Sequence, residues 1–217
     1  MTQPVYPPWS LDARHTALLI VDMQNDFLKP GGVLARSELP LRAVEPIRRL
    51  RSVCRALSVP VVYVQTLLSD VFSLSPLEVL YHPGAGLEEA GMRPGTWGAQ
   101  IIDELTPAED EPVVVKHRYD AFYNTSLETV LRNIRGTGEV DTLIITGTVT
   151  NVCCESTARS AFMRDFKVAF PHDANGPLDE ASHQATLRTI AGFFGRVLSS
   201  GQIIDELRRS LDQREGV

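Results

Sequence analysis

Short apolar runs alternate along this chain with stretches in which apolar residues recur every three or four positions. The apolar runs predict buried strands at residues 18–22, 61–67, 112–116, 142–147, 167–171 and 197–199. The intervening periodicity, as in residues 41–57, predicts amphipathic helices. Repeated strand–helix units of this kind predict a parallel sheet with right-handed crossovers and helices on both faces.

Two segments fall outside this alternation. Residues 1–15 carry Pro4, Pro7 and Pro8, which break regular structure, so we expect an N-terminal arm followed by one domain over residues 16–217. Residues 68–98 have no clear period, and their length predicts a binding loop or a lid rather than a passive connection.

Composition and charge narrow the classes of partner. The net charge of −6 argues against a nucleic acid or an acidic membrane surface, and no stretch approaches the ~20 apolar residues of a membrane span. Three cysteines, two of them adjacent, do not form a disulfide framework. We therefore expect a cytoplasmic protein that binds a small molecule.

Three reactive residues each stand where a predicted strand ends. Asp22 closes the first strand, Lys116 closes the third, and Cys153 follows the fourth near the start of a helix. The carboxyl ends of parallel strands share one edge of a sheet, where ligands bind. A carboxylate, an ammonium and a thiol at one edge predict a nucleophilic site.

The position of Cys153 near a helix N-terminus predicts a lowered thiol pKa and a populated thiolate. The alternative is a buried structural cysteine. Asp22 is the candidate general base, and Lys116 is the candidate partner for its charge. His117 and His172 each follow a strand, so a catalytic Cys/His pair is a further alternative. Because Cys153 and Cys154 are adjacent, a redox switch is another alternative.

No metal or nucleotide cofactor is predicted. The chain has no HExxH, no CxxC, no GxGxxG after a strand and no Walker A motif.

Three segments resemble the isochorismatase-like cysteine hydrolases, most nearly their ureidoacrylate and biuret amidohydrolase branch. They are Leu18-Leu-Ile-Val-Asp-Met-Gln-Asn-Asp-Phe27, Lys116-His-Arg-Tyr-Asp-Ala-Phe122 and Gly147-Thr-Val-Thr-Asn-Val-Cys-Cys-Glu-Ser-Thr-Ala-Arg159. The resemblance implies a Rossmann-like, three-layer α-β-α domain with a six-stranded parallel sheet. It also implies a homodimer or homotetramer. The Asp-x-His metal cluster of nicotinamidases is absent after the second strand.

For the site, the resemblance implies a triad of Asp22, Lys116 and Cys153. It implies an oxyanion hole from the backbone amides of Val149 and Cys153, and a cis peptide between Thr148 and Val149. An aromatic residue at the position of Phe27 lines the pocket in relatives.

These observations predict cysteine-dependent hydrolysis of a C–N bond in a small amide, ureido (N-carbamoyl) or lactam substrate, through a thioester. Trp97, Tyr119 and Phe122 are further candidate pocket walls, and Arg118 is either a carboxylate contact or a surface arginine. Two alternatives stay open. One is vinyl-ether hydrolysis with Asp22 as the acid, and the other is a non-catalytic or redox-sensing module.

Overall fold

A parallel β-sheet forms the centre of the molecule. The computed structural model describes residues 9–69, 74–81, 91–134 and 139–212. The strands are β1 (Thr16–Val21), β2 (Val61–Thr66), β3 (Val113–Lys116), β4 (Thr142–Thr148), β5 (Lys167–Pro171), β6 (Asn175–Gly176) and β7 (Arg196–Leu198). Their order is β3-β2-β1-β4-β5-β7, with β6 beside β4, and every pairing is parallel.

Helices connect these strands. They are α1 (Asn25–Leu28), α2 (Val44–Ala56), α3 (Pro76–Tyr81), α4 (Leu127–Asn133), α5 (Glu155–Phe162), α6 (Glu180–Thr189) and α7 (Ser200–Asp212). A π-helical turn, Thr150–Cys154, leads into α5, and a second one, Ile190–Phe194, follows α6. Asp179 caps α6, because its carboxylate accepts a hydrogen bond from the amide of Ser182 at 2.8 Å.

The core has two halves, one on each face of the sheet. All six residues of β1 are buried. Leu18 and Ile20 face a cluster built with α2 and α7, whereas Leu19 and Val21 face a cluster built with α4 and α5. Burial on both faces is why β1 is a continuous apolar run. The three-layer α-β-α prediction is confirmed.

The sheet has one strand more than the six predicted. The extra strand, β6, has two residues and therefore no periodicity to detect. It is fixed by the side-chain amide of Asn175, which donates to the carbonyls of Ile145 at 2.9 Å and Pro171 at 2.8 Å. The unpatterned region 68–98 contains one short helix, α3, while residues 70–73 and 82–90 lie outside the described residues.

The part of the predicted arm that is described packs on the domain. Leu11 and Ala13 are buried, and their amides donate to Glu206 and Ser210 of α7. Residues 1–8 lie outside the described residues. Within the described part of the chain, no helix has the length and apolar character needed to cross a membrane.

Candidate active site

The strand order brings the three predicted reactive side chains together at the carboxyl edge of the sheet. The Lys116 ammonium lies 2.8 Å from Asp22 Oδ2 and 3.5 Å from Cys153 Sγ. The side chains of Lys116 and Asp22 are almost wholly buried, and Cys153 is 5% exposed. A carboxylate, an ammonium and a thiol are therefore in contact within a nearly dry site.

The backbone at two strand ends is shaped to deliver these groups. Asp22 has a φ of +51°, in the left-handed region that aspartate tolerates better than most residues. Gly147 on the neighbouring strand has a φ of +126°, and a Cβ there would overlap the backbone of Val21. Glycine is required where β4 turns away from β1 toward Cys153.

The Lys116 ammonium is held charged by its neighbours. Burial by itself lowers its pKa, but the Asp22 carboxylate and the Cys153 sulfur more than compensate, so the pKa of Lys116 is raised. Its nitrogen also donates to Thr66 Oγ1 at 2.6 Å and to the carbonyl of Arg118 at 3.0 Å. Lys116 is thus a fixed cation at the edge of the sheet.

The thiol behaves differently from the expectation drawn from its helical position. Burial raises the pKa of Cys153, the Lys116 ammonium opposes this only in part, and the Asp22 carboxylate raises it further. The two side chains are neighbours because both contact Lys116, which lies 3.5 Å from the sulfur and 2.8 Å from the carboxylate. The resting sulfur therefore keeps its proton, with a base already in place to receive it.

The turn before Cys153 contains a cis peptide bond and the amides predicted to form an oxyanion hole. The peptide bond between Thr148 and Val149 is cis, as the resemblance implies. Among the described residues, the amides of Val152 and Cys154 donate to the carbonyl of Val149 at 3.0 and 3.3 Å, and the amide of Cys153 does not. An N–H beside the nucleophile that is not committed to this carbonyl is the kind of donor an oxyanion hole needs.

A cavity of about 190 Å³ opens onto the sulfur. Phe27 and Tyr119 line it, as do the site residues Lys116, Val149 and Cys153. Further walls that the sequence analysis did not select are Leu34, Arg36, Thr66, Glu78, Met92 and Leu178. His117 and Arg118, which were considered only as alternatives or as surface residues, also line it.

Two predicted walls do not line this cavity. Trp97 is half exposed, and its backbone carbonyl accepts a hydrogen bond from the Asn25 side chain at 2.8 Å. Phe122 is buried below the site, where its ring lies 5.9 Å from that of Phe166 and 5.0 Å from the Arg164 guanidinium. Neither side chain is part of the cavity lining.

A buried carboxylate, Asp26, ties the wall segments to α1. Its Oδ2 accepts a hydrogen bond from the amide of Met92 at 2.7 Å, and its Oδ1 accepts one from the amide of Val33 at 3.3 Å. Gly98 packs so closely that a Cβ there would overlap the Asp26 carboxylate. Because Met92 and Leu34 line the cavity, Asp26 sets the position of two of its walls.

The cysteines of the described residues form no disulfide. Cys54, Cys153 and Cys154 are all free thiols, and Cys154 is completely buried. No group of three or more potential metal ligands occurs within residues 9–69, 74–81, 91–134 and 139–212.

The buried histidine His183 contacts the turn before the nucleophile, where its ring nitrogen lies at hydrogen-bond distance, 3.0 Å, from the Thr150 hydroxyl.

Comparison with known proteins identifies the family. Residues 16–202 match the isochorismatase domain. The chain belongs to the isochorismatase family. Ureidoacrylate amidohydrolase RutB of Methylobacterium radiotolerans is 35% identical over 208 residues, which cover 88% of this chain and 78% of that protein. This chain is accordingly a hydrolase of the isochorismatase family.

Solved structures of the family share the whole architecture. A cysteine hydrolase from Pseudomonas syringae pv. phaseolicola superposes with a TM-score of 0.86 at 32% identity, covering 97% of this chain and 100% of that one. The N-carbamoylsarcosine amidase of Thermoplasma acidophilum superposes with a TM-score of 0.70 at 27% identity, covering 85% of this chain and 96% of that one. The α/β fold of this chain is the fold of isochorismatase-like hydrolases.

Proposed function

We propose that this protein hydrolyses the C–N bond of a small ureido, amide or lactam substrate through a thioester on Cys153. The observation that carries the proposal is the contact of Lys116 with both Asp22 and Cys153, at 2.8 and 3.5 Å, on the wall of a cavity. The names of similar proteins, a ureidoacrylate amidohydrolase and an N-carbamoylsarcosine amidase, favour the ureido class.

The chemistry begins with proton transfer from sulfur. Asp22 accepts the thiol proton as Sγ attacks the substrate carbonyl carbon, and Lys116 stabilises the negative charge that develops on sulfur. The amides of Val149 and Cys153 donate to the oxyanion, an interaction that contributes about 3 kcal/mol per donor in comparable sites. Asp22 then returns the proton to the departing nitrogen as the C–N bond breaks.

The thioester is cleaved by water in the second half-reaction. Asp22 takes a proton from the water, whose oxygen attacks the acyl carbon. The C–S bond breaks, the proton returns to sulfur, and the acid or carbamate product leaves. The same carboxylate thus serves as base and acid twice in each turnover.

The size and charge of the cavity restrict the substrate. A volume of about 190 Å³ is below the ~300–1,000 Å³ of pockets for drug-sized ligands, so we expect a substrate of few heavy atoms. Arg36 and Arg118 both line the cavity. Two arginines and one lysine against a single glutamate, Glu78, among the lining residues favour a substrate that carries a carboxylate.

The test is hydrolysis of a panel of carbamoyl, ureido, nicotinamide and lactam compounds by the natural protein and by Cys153→Ala. Ammonia release reports the first three classes, and chromatography of the ring-opened amino acid reports the lactams. We expect the natural protein to turn over at least one ureido compound and the variant to lose about 10³-fold or more in kcat. Cys54→Ala is the matched control, since Cys54 is a buried thiol remote from the cavity. Undiminished turnover by Cys153→Ala would exclude the thioester mechanism.

A further inference from the structure

The side chain that joins the carboxylate to the ammonium comes from a strand that carries none of the predicted site residues. In the strand order β3-β2-β1, the strand β2 separates the strands that end at Lys116 and Asp22. Those two strands are therefore about 10 Å apart, which is two strand spacings. Thr66 is the last residue of β2 and pairs in register with Lys116.

The Thr66 hydroxyl accepts one hydrogen bond and donates another. Lys116 Nζ donates to Thr66 Oγ1 at 2.6 Å, and that hydroxyl donates to Asp22 Oδ1 at 2.9 Å. The direction is fixed, because an ammonium has no lone pair to accept and a carboxylate has no hydrogen to donate. The direct ion pair of Lys116 uses the other oxygen, Asp22 Oδ2, at 2.8 Å. Asp22 Oδ1 therefore accepts a hydrogen bond from Thr66, whereas Oδ2 is held only by the charge of the nearby ammonium.

We propose that Thr66 is a positioning residue for the proposed hydrolysis. Its hydroxyl fixes the rotation of the Asp22 carboxylate and the place of the Lys116 ammonium, so that both groups meet the Cys153 sulfur. A test of this inference by substrate turnover rests on the proposed function, but a test by the reactivity of the Cys153 thiol does not. A carboxylate free to rotate would meet the thiol in a productive orientation less often.

Other contacts hold the end of β2 in place. The Gln24 side chain donates to the carbonyl of Thr66 at 2.9 Å, and its oxygen accepts from the amide of Thr66 at 2.8 Å. The backbone of Thr66 is thus anchored without its hydroxyl. Valine has the same branched shape and suits a strand, so Thr66→Val removes the hydroxyl from a fold that still forms.

The experiment compares Thr66→Val with Thr66→Ser, which keeps the hydroxyl. We expect kcat of Thr66→Val to fall about 10- to 100-fold, the effect of losing a hydrogen bond to a charged group, while KM changes less than about twofold. Thr66→Ser should stay within about threefold of the natural protein. Thr16→Val is the control, because Thr16 is also buried but begins β1 at the edge of the sheet away from the site, where its hydroxyl donates to the carbonyl of Asp12.

A second readout needs no substrate. Iodoacetamide alkylation of Cys153, followed by peptide mass mapping, reports how readily the thiol is deprotonated. We expect Thr66→Val to slow it about tenfold and Thr66→Ser to restore it. If no panel compound is hydrolysed, the proposed function fails and this readout still decides the role of Thr66.

The inference is overturned if Thr66→Val is alkylated at the natural rate, or if Thr66→Ser is as slow as Thr66→Val. A rise in KM at unchanged kcat would make Thr66 a substrate contact and would also overturn it. Thermal unfolding of each variant checks the fold. Should Thr66→Val fail to fold, Thr66→Ala replaces it in both measurements with the same expected results.

Discussion

Replacing Lys116 by methionine removes the ammonium while keeping most of the volume of the side chain. Lys116 and Asp22 are 1% and 0% exposed and 2.8 Å apart. The substitution leaves a carboxylate that is shut away from water and no longer paired with its cation. We therefore expect a large loss of stability together with a loss of activity.

The magnitude follows from the geometry. At 2.8 Å and an effective dielectric constant of about 20, the attraction between the two charges is about 6 kcal/mol, most of which offsets their desolvation. Removing one member of such a pair costs about 3–5 kcal/mol, against a total stability of about 5–15 kcal/mol for a domain. Asp22→Asn, which strands the ammonium, should cost a similar amount. The double variant Lys116→Met/Asp22→Asn should recover to within about 2 kcal/mol of the natural protein.

Urea unfolding at constant slope measures the four stabilities, and hydrolysis of a substrate found in the panel measures activity. All three variants should lose about 10³-fold or more in activity. In the double variant, stability should therefore recover while activity does not. Arg48→Met is the control, because Arg48 forms an exposed pair with Glu45 and its loss should leave the stability almost unchanged. A double variant as unstable as the sum of the single variants would show that the two buried charges do not stabilise each other.

Two further substitutions test the cavity walls. Gly98→Ala places a methyl group against the Asp26 carboxylate, and it should cost about 1–3 kcal/mol and raise KM more than it lowers kcat. Gly192→Ala is the control, because a Cβ there meets no atom within 4 Å, and we expect it to change neither stability nor KM. Equal shifts in melting temperature for the two variants would contradict a specific clash at Gly98. Arg36→Gln should raise KM about tenfold for a ureido acid and leave KM for its neutral amide unchanged. Arg42→Gln, an exposed arginine outside the cavity, is its control, and an equal rise for acid and amide would exclude a carboxylate contact.

The sequence predicts the frame of the site because the frame depends on local patterns. Strands buried on both faces must be apolar throughout, so a charged or reactive residue that follows such a run marks the carboxyl edge of the sheet. Asp22 is recognised in this way. Lys116 also follows an apolar run, although β3 is an edge strand with Val113 and Val115 exposed, and Cys153 is recognised from its place near the helix start after β4. For example, the fourth strand is predicted at residues 142–147 and is observed at Thr142–Thr148.

The residues that the sequence does not reveal depend on which strands are neighbours. Thr66 closes an apolar run as Lys116 does, but its role appears only when β2 is known to lie between β1 and β3. Leu34 and Met92 come from unpatterned segments and reach the cavity because Asp26 binds the backbone nearby. The presence of an aromatic residue does not indicate where its side chain points. Trp97 and Phe122 are predicted as walls on residue type alone, and they lie outside the cavity lining.

Burial explains both the strength of the ion pair and the state of the thiol. A helix start favours thiolate, but at 5% exposure desolvation and the neighbouring carboxylate outweigh that effect and raise the pKa of Cys153. The same lack of water keeps Lys116 and Asp22 tightly coupled. A permanently charged sulfur is therefore unnecessary in the proposed mechanism. The proton moves to Asp22 as the sulfur attacks, when the oxyanion donors and Lys116 can stabilise the charge that forms.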